Sequence, residues 1–217
     1  MRIDIVTLFP ELFDALQYGV LSRAIKNEII QLSYWNPRQF SNNEHGYIDD
    51  KPYGGGPGMV MCYEPLYKTL EAIKHKNTFA NCKIICLSPQ GKTFDHKVAT
   101  ASTTIDQLVI VCGRYEGIDQ RFIDQCVDET WSIGNFVLSG GEFAACCIID
   151  TITRLLPGTL GNPDSLTSES FTNDQYDYPT YTRPAEIHGH KVPEVLLNGN
   201  HAEITAWRNR HRNHKDD

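Results

Sequence analysis

Three short stretches hold residue types from which a ligand site could be built: Ser88-Pro-Gln-Gly91, Gly113-Arg-Tyr-Glu-Gly117 and Ser132-Ile-Gly-Asn135. Glycine permits tight turns and lets main-chain N–H groups approach a ligand with no side chain between. Tyr115, Phe136 and Leu138 add apolar surface, and Glu116 adds a negative charge. The combination suits an uncharged or cationic ligand without phosphate, such as a purine nucleoside carrying an ammonium or sulfonium group. Taken alone, the same turns also describe three ordinary connections between strands and helices.

Several phosphate and catalytic patterns fail on single residues. Gly91-Lys92-Thr93 ends like a phosphate-binding loop, but the glycine required five residues earlier is Cys86. Ser139 lacks the glycine two positions before it that a nucleophile elbow needs. No Gly-x-Gly-x-x-Gly follows any strand, so the dinucleotide fingerprint is missing. His188-Gly-His190 has no further ligands at a credible spacing, which favours a loop over a metal centre. The cysteines at 62, 82, 86, 112, 126, 146 and 147 form no Cys-x-x-Cys and read as small buried hydrophobes.

The turns need strands to hold them. Runs at 83–87, 107–112 and 127–131 have strand character and stop at the three turns, the end at which open α/β sheets bind ligands. Upstream, 1–8 and 29–35 also read as strands, and Leu12, Leu16, Val20, Leu21 and Ala24 recur between them at helical spacing. Further helices are expected over 64–76, 94–104, 117–126 and 141–156, the last being the most apolar. Strands alternating with helices give an α/β class with a largely parallel sheet. Residues 38–60 have little periodicity and include Pro52-Tyr-Gly-Gly-Gly-Pro-Gly58, a long loop whose flanking acids and aromatics point to binding.

From 159 to 189 the chain is polar and rich in turn formers, the composition of a flexible segment that orders on binding. Order resumes with a helix for which Asn200 is the expected N-cap, with Glu203 at capping-box spacing. A length of 217 residues accommodates one substantial domain and a smaller appendage. The net charge of −7 argues mildly against a protein that coats nucleic acid, although the basic stretch 207–215 could meet phosphates or simply be a solvated end. No apolar run reaches membrane-spanning length and the N-terminus has no signal-peptide pattern, so a cytoplasmic location is expected.

Beyond these inferences, seven segments in order resemble one family. They are Pro52-Tyr-Gly-Gly-Gly-Pro-Gly-Met59, Ser88-Pro-Gln-Gly91, Val111-Cys-Gly-Arg-Tyr-Glu-Gly-Ile-Asp119, Trp131-Ser-Ile-Gly134, Val137-Leu-Ser-Gly-Gly-Glu142, Tyr181-Thr-Arg-Pro184 and Gly199-Asn-His-Ala-Glu-Ile204. They look like the bacterial tRNA (guanine-N1)-methyltransferases, from Phe9-Pro10 to Trp207. The resemblance implies an α/β fold of SPOUT type, mostly parallel, with a deep C-terminal trefoil knot at the three turns and a truncated helical appendage. It implies a knotted donor-binding domain over 1–160, a flexible linker over 161–182 and the start of a small helical tRNA-binding domain over 183–217. Pattern reasoning alone gives a plain open sheet.

The same resemblance implies methyl transfer from S-adenosylmethionine to N1 of guanine 37 in tRNA by a homodimer with composite active sites, and it leaves room for magnesium. It assigns donor contacts to Leu87, Ser88, Pro89, Gly113, Tyr115, Glu116, Gly117, Ser132, Ile133, Gly134, Asn135, Phe136, Val137, Leu138, Gly140 and Gly141. Gly113, Gly134, Gly140 and Gly141 are expected to permit close backbone approach. Contacts to tRNA fall on Gly55, Gly56, Gly58, Arg183 and His201. Guanine N1 carries a proton near neutral pH, so a base is needed. The resemblance places Glu169 there, where the family has Asp, and gives Arg154 the task of stabilising charge on guanine O6. Asn135-Phe136 stands for the family's Asp-Tyr, Phe143-Ala144 for Leu-Pro, and Cys86 for Tyr. Two alternatives stay open: a knotted methyltransferase acting on another RNA position or a ribose, and a donor-binding protein with impaired catalysis.

Overall fold

The computed structural model describes residues 1–42, 45–76, 79–166, 169–171 and 175–212, which fall into two compact units, Met1–Gly161 and Asn162–Asp217. In the first unit, β1 (Arg2–Val6) leads through a 3-10 segment, Pro10–Gln17, into α1 (Gly19–Lys26) and β2 (Gln31–Trp35). After β3 (Asp49–Asp50) and β4 (Val60–Met61) come α2 (Tyr63–Lys76), β5 (Cys82–Thr93), α3 (His96–Ser102), β6 (Gln107–Cys112), α4 (Gln120–Cys126), β7 (Glu129–Ser132) and α5 (Glu142–Leu155). Five of these strands form one sheet in the order β2-β1-β6-β5-β7, every pair parallel.

A parallel sheet is covered on both faces, and the strand residues divide accordingly. Ile3, Ile5, Ile85, Leu108 and Ile110 pack with Ala145, Ile148, Ile149 and Ile152 of α5, together with Leu21 and Ala99. Val6, Cys86, Val109 and Val111 pack with Leu66, Leu70 and Ile73 of α2 and Phe122 of α4. Asp4 points to that second side and is fully buried. Arg2 grips it through Nε and Nη2 at 2.8 and 2.9 Å, while Trp35 Nε1 and Gln107 Nε2 each donate at 2.8 Å. A buried carboxylate is tolerable only when its oxygens are answered in this way.

Several boundaries differ from the expectations. The helix expected from Leu12 to Ala24 is broken, because Tyr18 is extended and Gly19 takes φ +64°; Val20 is left exposed. Residues 38–60 contain a 3-10 turn, Pro37–Phe40, and the antiparallel β3–β4 ladder, whose two-residue strands are too short to leave a periodic pattern. The run expected to stop at Leu87 continues to Thr93: Leu87 and Lys92 both pair with Trp131, so residues 88–91 form an excursion within one strand. Helix α4 starts three residues late because Gly117 and Asp119 bond to Met61 instead (Met61 N to Gly117 O, Asp119 N to Met61 O, 2.9 Å each). Cys86 and Cys112 are buried as expected of small hydrophobes, but Cys82 and Cys147 are exposed.

In the second unit, β8 (Glu186–Ile187) and β9 (His190–Lys191) form an antiparallel hairpin. Its turn is His188-Gly189, both with positive φ (51° and 81°), the backbone that a two-residue type I′ turn requires. A 3-10 turn, Glu194–Leu196, precedes α6 (His201–Arg210). Asn200 caps α6, its side-chain oxygen accepting from Ala202 N and Glu203 N at 3.2 and 3.4 Å. The capping box is incomplete: Glu203 accepts from Asn198 Nδ2 at 2.8 Å, and Asn198 takes the Asn200 N–H at 2.9 Å. Among the described residues no helix is long and apolar enough to cross a membrane.

Candidate active site

The three turns at the strand ends open onto one cavity of about 350 Å³. Of the residues named for the donor, all but Asn135 line it. Each turn is shaped by a local constraint. In the excursion, Gln90 N bonds Ser88 Oγ at 3.2 Å, and pairing with β7 resumes at Lys92, just after Gly91. A Cβ on Gly91 would lie 2.6 Å from Thr130 C and O, so the strand can close on β7 only with glycine there. In the second turn Tyr115 adopts φ +60° and Gly117 φ +133°, with Gly117 N bonded to Arg114 O at 3.2 Å. In the third, Ser132 Oγ donates to Gly134 O at 3.0 Å and accepts from Gly134 N at 3.2 Å.

The second turn is joined to two other segments. Gly141 N donates to Gly113 O at 3.0 Å, and a Cβ on Gly141 would sit 2.9 Å from Cys112 Cα. The glycine-rich loop is attached from the other direction. Glu116 N bonds Met59 O at 2.9 Å, and the Glu116 side chain lies where a Gly58 Cβ would be, 2.4 Å from its Cγ. Close approach is thus confined to Gly91, Gly134, Gly140 and Gly141 among the turn glycines. Gly113, expected to share that role, has no atom nearer than 3.6 Å to its would-be Cβ.

Sequence reasoning missed the part played by Arg114 and Glu142. Glu142, the first residue of α5, is fully buried and accepts from Thr7 Oγ1 at 3.0 Å and from Arg114 Nε at 2.9 Å. Arg114 also lines the cavity, donates through Nη1 to Ser139 O at 3.3 Å, and sets its guanidinium 4.5 Å from the Phe9 ring centre. Both residues lay inside quoted motifs, but a pair 28 positions apart leaves no periodic trace. Burial pushes the Cys86 thiol up to about 12, so this wall offers no thiolate near neutral pH. Burial, and then the hydrogen bond and charge of Asp49, hold the Tyr115 hydroxyl above its ordinary range, with Arg38 opposing.

Of the remaining candidates in the first unit, Gly55, Gly56 and Arg154 are not among the residues that line the cavity. Gly55 and Gly56 occupy the exposed loop with φ +78° and +122° and nothing within 4 Å of a would-be Cβ. Arg154 sits in the last turn of α5. In the second unit, Glu169 is half-buried, and Arg183 lines a groove together with Tyr181, Trp207 and Arg208. His201 opens α6 and is exposed. Asp177, a reserve candidate for the base, is exposed, while Asp174 lies outside the described residues. Among the described residues no group of three or more His, Cys, Asp or Glu could hold a metal ion.

Comparison with known proteins agrees with the motifs. The family described as tRNA (Guanine-1)-methyltransferase TrmD matches residues 1–217. The tRNA (guanine-N(1)-)-methyltransferase of Buchnera aphidicola subsp. Acyrthosiphon pisum (strain APS) is 50% identical over 207 residues, covering 94% of this chain and 86% of the relative. That of Pseudomonas putida (strain W619) is 49% identical over 209 residues, covering 96% and 83%. That of Coxiella burnetii (strain Dugway 5J108-111) is 50% identical over 206 residues, covering 95% and 83%. With the match extending over the full sequence and half of the residues shared with such relatives, the chain belongs to the tRNA (guanine-1)-methyltransferase family.

Proposed function

We propose that the protein methylates N1 of guanine 37 in tRNA, with S-adenosylmethionine as donor, as a cytoplasmic homodimer whose active sites draw on both subunits. Family membership supports the reaction class, and the names of the relatives supply the RNA, the base and the nitrogen. One observation carries the donor assignment: three turns converge on a single cavity in which Glu116 is the one carboxylate among the lining residues. The volume of about 350 Å³ falls in the range of small-ligand sites. The bare α-carbon of lining Gly141, where a Cβ would lie 2.9 Å from Cys112 Cα, fits a wall made of main chain. The carboxylate suits a sulfonium charge.

When bound, the donor supplies an electrophilic methyl group. The residues of this chain have separate tasks. The turns hold and orient the donor, Glu169 takes the proton from guanine N1, and Arg154 stabilises the negative charge gathering on O6. Gly55, Gly56, Gly58, Arg183 and His201 meet the tRNA. Family membership supports a trefoil knot at the three turns of the first unit. Residues 161–182 serve as a linker and residues 183–217 as a small helical tRNA-binding domain. A second copy is supported by α5, which buries Ile148, Ile149 and Ile152 yet leaves Phe143 54% exposed, and by Val137, which is 82% exposed.

Mass spectrometry of a tRNA transcript incubated with donor tests the reading, with 1-methylguanosine expected at position 37. A methyl group on a ribose or another base would move the protein to the alternative RNA substrates. Intact donor binding without transfer would make it a donor-binding protein. Chelation before the same assay reports any magnesium dependence.

A further inference from the structure

Arg114, in the wall of the donor cavity, is paired with the fully buried Glu142, and the placement of this ion pair is hard to explain by stability alone. Apolar residues of similar volume commonly stabilise a core as well as such a pair does. Here Glu142 is 0% exposed and Arg114 18% exposed at the side chain, linked at 2.9 Å. Thr7 Oγ1, which donates to Glu142 at 3.0 Å, accepts from Phe9 N at 3.0 Å. The guanidinium lies 4.5 Å from the Phe9 ring centre and close against Gly140, where a Cβ would fall 2.2 Å from Arg114 Nε. Its remaining bond, to Ser139 O, reaches the stretch that leads into α5. One side chain thereby joins three segments of the first unit: the exit of β1, the turn after β6 and the entry to α5.

Charge gives the pair a second consequence. Arg114 is the one cationic side chain among the cavity-lining residues, and Glu116 the one anionic. Left unmatched, the guanidinium would cancel the attraction of Glu116 for a cation. With Glu142 neutralising it from behind, the wall keeps its negative balance.

We infer that Glu142 is a positioning residue for the methyl donor: it fixes Arg114 across Gly140 and masks its charge, so that the cavity favours a sulfonium ligand over its uncharged thioether product. This rests on the donor assignment proposed above. A net charge exposed at roughly 10 Å in a medium of intermediate dielectric changes the affinity for a cation by about ten-fold. Preference for donor over product would favour turnover, because the thioether left after methyl transfer has lost the charge that held it.

The test is calorimetric binding of S-adenosylmethionine and S-adenosylhomocysteine to the whole protein and two variants. Glu142→Gln keeps the shape and removes the charge. It should weaken donor binding by about ten-fold and product binding by less than about three-fold. Arg114→Lys keeps the charge and loses the fork, so both ligands should weaken together while their ratio holds. Equal weakening of both ligands in Glu142→Gln would overturn charge masking. Unchanged affinities in Arg114→Lys would overturn the positioning role, and that variant carries the test alone if circular dichroism shows Glu142→Gln unfolded. If the unaltered protein binds neither ligand, the donor assignment itself fails, and that result is separate from the behaviour of the variants.

Discussion

Gly91 and Gly113 both stand beside strand ends, yet the space at their α-carbons differs enough to decide two substitutions. At Gly91 a Cβ meets the carbonyl group of Thr130 at 2.6 Å, and that group belongs to a paired strand that cannot turn aside. Gly91→Ala should cost on the order of 1–3 kcal/mol and weaken the donor. At Gly113 the nearest atom is the Ile118 methyl at 3.6 Å, ordinary contact, so Gly113→Ala should stay within about 0.5 kcal/mol of the parent. Thermal melting with donor calorimetry checks both. Glu169 is tested by rate instead. If it takes the N1 proton, Glu169→Gln should slow single-turnover methyl transfer roughly 10²- to 10⁴-fold with donor affinity unchanged, and Glu169→Asp should hold or raise the rate. Transfer at the parent rate by Glu169→Gln would place the base elsewhere, with Asp177 next. None of the glycine distances can be read from sequence. The motifs show where glycine occurs, but only the paired backbone of β5 and β7 shows which glycine the packing requires.

Among the elements, the edge strand β7 depends on a charged cross-strand contact. Lys83 of β5 donates to Glu129 of β7, and Trp131 Nε1 donates to the same carboxylate at 2.7 Å. The Lys83 hydrogen bond, then the Trp131 bond, hold the Glu129 carboxyl below its usual range. A lowered folded-state pKa means that the contribution is present above the unfolded carboxylate value, about 4.3, and is lost as pH falls through the folded value. The melting temperature of the parent should therefore exceed that of Glu129→Gln at pH 6, with the gap closing toward pH 3. A gap independent of pH would remove the ionised carboxylate as its cause. The gap should be small, since both side chains are about one-third exposed. Sequence made the sheet strands, α2 and α5 legible because their runs are long or strongly apolar. It could not reveal that β5 resumes after residue 91, since a turn sequence that ends a strand and one that merely interrupts it look alike. Nor could the two-residue β3 and β4 announce themselves. They owe their pairing to Ile48 and Met61, each 1% exposed, which anchor the base of the glycine-rich loop.

At the scale of the whole molecule, the proposed composite sites make a prediction that no single chain could satisfy. Arg154→Ala, which lacks the O6 partner, and Gly141→Val, whose Cβ would collide with Cys112 Cα, should each be inactive alone. Mixed and allowed to exchange subunits, they should regain some activity, and ultracentrifugation should show a dimer; a monomer would end the idea. The reaction class was legible from seven ordered motifs, whereas the Arg114–Glu142 contact required the folded chain. The excursion at residues 88–91 has a consequence for how such a protein can change. Because Leu87 and Lys92 share one partner, Trp131, the sheet counts the residues between them as none. Insertions or deletions confined to Ser88, Pro89 and Gln90 would reshape the cavity rim without shifting the register of any other strand. Ligand size can thus be retuned, by evolution or by a designer, as a module separate from the scaffold.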